Sequence, residues 1–105
     1  MADQTGAPDT PVLDLMTVMT AASSEASSLD SETFTLVRIA ALAAVGAPPA
    51  SYLLNLGAAA ELDIDPDRVR GVLAAIAPIV GTARVVSAAG SIADALDVAI
   101  EVAGE

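Results

Sequence analysis

The chain has 105 residues, 54% of them hydrophobic, with 14 acidic side chains against four basic ones and a formal net charge of −10. It contains no cysteine and no histidine, which excludes disulfides, thiolate nucleophiles, iron–sulfur clusters, the usual zinc sites and imidazole acid–base relays. A polyanion is repelled by phosphate backbones and lacks the basic face that anionic membranes attract, so neither nucleic acid nor membrane is an expected partner.

Residues 1–10 are polar and contain Gly and Pro, which predicts an N-terminal tail ahead of a single helical domain over 11–105. The opening MADQTGAPDTP has neither a basic n-region nor an apolar h-region and does not read as a secretory signal, so the expected address is cytoplasmic. Thr10-Pro11 is an N-cap followed by a proline at the first helical position. Val12, Leu15, Met16 and Met19 then recur at helical spacing, with the two methionines expected in a core or interface. The helix is expected to fade into the stretch AASSEASS, residues 21–28, which reads as a linker or loosely held turn.

Asp30 caps a second helix, with Glu32 in its first turn, that runs to about Val45 and stops at Gly46. Phe34, Val37, Ala41 and Val45 form one apolar stripe, and Leu36, Ile39, Ala40 and Ala43 form another, so this helix is expected to be buried nearly all round. Pro48-Pro49 break the chain and start a third helix, roughly 49–62, through Tyr52, Leu53, Leu54 and Leu56. Residues 39–60 are uncharged over a membrane-spanning length, but two prolines and two glycines interrupt them, and no transmembrane helix is expected. Asp65-Pro66 opens a fourth helix carrying Val69, Val72, Leu73, Ile76 and Val80, with Pro78 expected to kink or end it. Gly81 and Thr82 turn into a fifth, about 82–103, with Val85, Ala89, Ile92, Leu96 and Ile100 on one face and Asp94, Asp97 and Glu101 on the other. Strand-like alternation is absent. The predicted fold is an all-α bundle of five helices.

Phe34 and Tyr52 are the only aromatic residues, so the core is thin in large side chains. Small, apolar all-α chains of this kind hide surplus surface against copies of themselves, and a homo-oligomer is the expected state.

Three segments carry a resemblance. LDSETFTLVRIAALAAVGAPP at residues 29–49, DIDPDRV at 63–69 and IAPIVGTARVVSAA at 76–89 resemble, in order and spacing, the carboxymuconolactone decarboxylase family, which includes the alkyl hydroperoxidase D-like proteins. The resemblance covers about residues 29–93 and implies a helical bundle that assembles as a trimer, hexamer or related ring. The family's functional positions do not carry over. Its usual glutamate is Thr35 here, its Cys-x-x-Cys pair falls in the cysteine-free PPASYLLNLGAAA, its histidine aligns with Asn55, and its later tyrosine is Ile79. Thiol peroxidase chemistry is impossible without cysteine. Lactone decarboxylation needs no cofactor but does need proton transfer, and the best-placed groups for it are missing.

The candidate ligand-binding residues are Thr35, Arg38, Tyr52 and Asn55. Arg38 lies one turn after Thr35, and Asn55 one turn after Tyr52. By the resemblance, Thr35 and Asn55 face each other across the family's pocket, where they and Arg38 would orient a carbonyl or carboxylate. The alternative is structural, with Thr35 and Asn55 bonded to nearby backbone and Arg38 paired with Asp30 or a neighbouring subunit's acid. Arg84 is expected to reach the carbonyls ending the fourth helix or to cross a subunit boundary, and Arg68 and Arg70 to pair on the surface with Asp65 and Asp67. No catalytic residue, metal ligand or cofactor is assigned. Two functions remain. One is a non-catalytic assembly or interaction protein, including a subunit that accompanies a related chain, which predicts a filled pocket. The other is a cofactor-free decarboxylase, lactone-acting enzyme or binding protein for a small hydrophobic acid, which predicts a cavity where Asn55, Thr35 and an arginine converge. The first is favoured, because enzymes seldom dispense with histidine, cysteine and a central carboxylate together.

Overall fold

The computed structural model describes the backbone of residues 10–103 and the side chains of residues 10–96. The expected tail up to residue 9, and the expected facings of Asp97, Ile100 and Glu101, lie outside the described residues. Among the described residues there are five α-helices and no strand: α1 Pro11–Ser27, α2 Ser31–Val45, α3 Pro49–Glu61, α4 Pro66–Val80 and α5 Thr82–Ala103.

The helix boundaries follow from local chemistry. Asp30 accepts a hydrogen bond from the Thr33 backbone N–H at 3.0 Å and one from the Thr33 hydroxyl at 2.7 Å, satisfying a donor that the first turn leaves open. Asp65 does the same for the Asp67 N–H at 2.9 Å, with Pro66 beginning α4. At the other end of α2, Gly46 takes φ +75°, and the chain returns bonds to Ala43 and Leu42. A side chain there would be strained, which is why glycine stands at this stop. Thr10 differs from expectation: its hydroxyl bonds Asp14 at 3.1 Å and caps no backbone N–H.

One expectation about the elements is corrected, and one of two alternatives at Pro78 falls away. The serine-rich stretch is helical, and α1 continues to Ser27. Serine is a middling helix former, and alanines and Glu25 alternate with it, so nothing in that run breaks a helix already nucleated upstream. Pro78 does not end α4, which continues to Val80. The proline deprives the Ala74 carbonyl of its donor, but Ala74 is exposed and water can replace that bond.

Helices α2 to α5 pack on one another, and α1 takes no comparable part. The core gathers Ile39 and Ala43 from α2, Tyr52 from α3, Leu73 from α4, and Ala88, Ile92 and Ala95 from α5. Three of its residues are alanines that add only a methyl each, so the helices approach closely, and Tyr52 supplies the one large ring. The expected all-round burial of α2 is also corrected. Ile39 and Ala43 are fully buried, whereas Val37 is 51% and Val45 71% exposed. One of its two apolar stripes faces the core and the other faces outward.

α1 buries no residue at all. Val12, Leu13, Leu15, Met16, Val18 and Met19 are each between 55% and 67% exposed, so the two methionines are not core residues of this chain. No described helix is long and apolar enough to cross a membrane.

Candidate functional site

α2 and α3 meet through polar groups at one point. The Arg38 guanidinium donates from Nε to the Asn55 side-chain oxygen at 3.2 Å. It also lies over the Phe34 ring, 5.2 Å from the centroid, one turn earlier on the same helix. Asn55 is buried and Arg38 half-buried, so the bond joins a desolvated acceptor to a charged donor, the stronger class of hydrogen bond. The sequence-stated alternative that Arg38 pairs with Asp30 is corrected: Asp30 is occupied by Thr33 at the start of α2. Asp30's carboxyl is held below its ordinary value of 3.8, first by the Thr33 hydroxyl and then by the Thr33 N–H.

Thr35 is buried, but its hydroxyl turns back to its own helix and donates to the Ser31 carbonyl at 2.9 Å. Such back-bonding satisfies a hydroxyl inside a helix without reference to a ligand. Tyr52 is fully buried in the core, and its phenol oxygen has no hydrogen-bond partner. Burial pushes its ionisation upward from the ordinary 10.0, because the phenolate would sit without solvent. Of the four candidate residues, the fold thus joins Arg38 to Asn55. It gives Thr35 to the backbone and Tyr52 to the core.

Two hollows accompany this arrangement, and neither is lined by Thr35, Tyr52 or Asn55. A small one of about 270 Å³ lies between α1 and α2, edged by Met16, Met19, Thr20, Ser23 and Arg38. A larger groove of about 440 Å³ runs between α3, α4 and α5, with Leu56, Ile64, Val69, Leu73, Ile92 and Leu96 among its walls and Arg70 as its charged residue. The fifth-helix stripe supplied part of that wall in the sequence. Its groove-forming character depends on Ile64 and α4 standing opposite, which no single stripe reveals.

The remaining arginines are structural. Arg68 pairs with Glu32 of α2 at 2.7 Å, linking two helices rather than meeting Asp65 or Asp67 as expected. Arg70 pairs with Asp67 on the surface as expected. Arg84 donates to the Ala44 carbonyl at 3.0 Å, near the end of α2 rather than of α4. It thereby supplies a donor to one of the open carbonyls of that terminus. Among the described residues no group of three acidic, histidine or cysteine side chains is placed to hold a metal ion.

Compared with known protein families, with curated proteins and with solved structures, the chain finds no match.

Proposed function

We infer that the chain is a non-catalytic helical assembly protein of the carboxymuconolactone decarboxylase-like, alkyl hydroperoxidase D-like type, which works in the cytoplasm as a homo-oligomer, a trimer or hexamer before a dimer. The observation that carries this reading is α1: a 17-residue helix with no buried residue and six large apolar side chains each more than half exposed. A contiguous apolar surface of this kind marks an interaction site rather than ordinary surface. The candidate pocket supports it from the other side. Thr35, Tyr52 and Asn55 are buried among packed helices, with Thr35 and Asn55 already hydrogen-bonded within the chain. A threonine hydroxyl and a carboxamide do not titrate near neutrality, and burial pushes the Tyr52 phenol upward, which supports the non-catalytic reading.

Light scattering coupled to size exclusion at micromolar concentration tests the assembly. We expect a mass at a small multiple of 10.4 kDa, and a clean monomer overturns the reading. The absence of catalysis is tested with hydroperoxide and carboxymuconolactone as substrates. Turnover of either that survives repurification sinks the non-catalytic half.

A second reading, a binding protein for a small hydrophobic acid, draws its support from the hollow at Arg38. Arg38 pairs with no carboxylate among the described residues, and its guanidinium borders two methionines and two hydroxyl groups. Medium-chain carboxylates raising the melting temperature of the wild type, and not of Arg38→Gln, would favour it over a purely structural module.

A further inference from the structure

α1 turns back along α2 after a connection of three residues, 28–30, yet the two helices do not close on each other. The hollow of about 270 Å³ edged by Met16, Met19 and Arg38 stands between them. Apolar side chains flank this gap on both sides. On α1, Val12, Leu15, Met16 and Met19 stand at i, i+3, i+4 and i+7. On α2, the outward stripe beside Arg38 leaves Val37 51% and Val45 71% exposed. The α1 face has two unlike halves. Its first turns carry the four large side chains, whereas beyond Met19 the same face carries only Ala22, Ser23 and Ala26. At about 100° per residue, the acids of α1, Asp14 and Glu25, fall on the opposite side. A face that is bulky at one end and small at the other complements its own reversed copy, because each large half meets an alanine half.

We propose that α1 of a second copy of this chain lies antiparallel to α1 in the gap beside α2, and that the reciprocal insertion closes a two-fold pair of α1–α2 hairpins. The pairing centres near Met19. It sets Val12 of one copy opposite Ala26 of the other and lays the incoming Leu15 and Met16 on Val37. The chain's own α1 cannot fill the gap, since it forms one of the walls. The area suits a stable pair. With Leu29, Val37 and Val45, the four α1 residues make seven side chains between 45% and 71% exposed. At on the order of 100 Å² apiece they offer about 700 Å² per copy. A two-fold contact is made twice, giving about 1,400 Å² in all, within the range of specific interfaces. Charge fits as well. The chain repels itself at −10, but this face excludes the acids of α1. On α2, Glu32 is paired with Arg68, and Asp30 is bonded to Thr33 at the helix start. The charged residue within the gap is Arg38, which pairs with no carboxylate among the described residues. The contact closes on two copies, and six follow where a separate three-fold contact joins three such pairs.

This inference rests on the self-association proposed above and is separable from it. The chain is cysteine-free, so single cysteines in the full-length chain report the register. Under mild oxidation, Met19→Cys should give a covalent dimer of two 10.4 kDa chains, because its two copies meet at the axis. Val12→Cys alone should not crosslink, whereas Val12→Cys combined with Ala26→Cys should. Leu15→Asp with Met16→Asp, and separately Val37→Asp, should each lower the light-scattering mass at micromolar concentration. Helical circular dichroism should be retained, because all three side chains are more than half exposed in the single chain. Ile79→Asp, at a position 85% exposed on α4, should leave the mass unchanged. An oligomer that keeps its mass in both Asp variants and yields no Met19→Cys dimer overturns the pairing and leaves self-association standing. Val12→Cys that crosslinks to itself as fast as Met19→Cys overturns it in favour of a parallel pair. A mass lowered equally by Ile79→Asp, or an odd number of copies, overturns it too. A monomeric wild type overturns both inferences.

Discussion

Tyr52 is the one large ring in the core, and its phenol oxygen has no partner. Leaving a buried hydroxyl unbonded costs about 1–3 kcal/mol, while the ring itself contributes packing that phenylalanine would keep. Tyr52→Phe should therefore stabilise the protein by about 1 kcal/mol in urea denaturation at neutral pH. The gap between variant and wild type should widen above pH 10. There the unfolded phenol ionises while the folded one, raised from 10.0, holds its proton, so wild-type stability falls as pH rises. Thr35 and Asn55 lead to a harsher expectation. Both are buried and already bonded, to Ser31 and Arg38 respectively. Thr35→Glu and Asn55→His would introduce the groups found at these positions in the family that the sequence resembles, but would force a carboxylate and a ring into filled space. Overpacking costs about 1–3 kcal/mol, and an unpaired buried charge adds several more. Thermal melts should show the two losses adding. A double variant no less stable than the better single one would reveal a latent pocket.

At the scale of the element, the start of α2 depends on Asp30. Its carboxylate takes two bonds from Thr33, which hold its pKa below 3.8. A group depressed in the folded state lends stability above its unfolded pKa and loses it as pH falls through the folded value. Asp30→Ala should lower the melting temperature near neutrality. The difference should shrink as pH falls from about 3.8 through the lower folded value, where the wild-type carboxyl takes its proton. A constant difference across that range would assign the cap's effect to helix propensity instead. The far end of α2 shows a second dependence, since the Arg84 side chain of α5 bonds the Ala44 carbonyl there. α2 is held at both ends, through Asp30 and Arg84, and this positions Arg38 opposite Asn55.

For the whole molecule, the governing conflict is between apolar surface that favours association and a charge of −10 that opposes it. Surface repulsion is screened over about 10 Å at 0.1 M salt. Raising sodium chloride from about 0.01 M, where screening reaches ~30 Å, to physiological strength should shift the light-scattering mass toward the oligomer. A mass unaffected by salt over that range would mean that the contacts lie far from the acidic surface, or that the chain does not associate.

What the sequence by itself determined is the set of helices and most of their ends. Asp30, Gly46, Pro49, Asp65-Pro66 and Gly81 act through bonds within a few residues, so their effect is legible locally, and α2, α4 and α5 begin or end where they indicate. Charge and the lack of thiol and imidazole groups are likewise sequence properties, and they removed whole classes of chemistry without a fold. The tertiary structure decided which apolar face found a partner. α1 and α2 both carry stripes at helical spacing, yet α2 buries Ile39 and Ala43 while α1 buries nothing. Periodicity reports that a face is apolar and is silent about what lies opposite it. The same limit applies to the polar residues. The sequence offered Arg38 a ligand, Asp30 or a neighbouring subunit's acid, and only the crossing of α2 and α3 gave it to Asn55, 17 positions away. Thr35 met its own backbone one turn back, because a buried hydroxyl takes the nearest acceptor that costs no rearrangement.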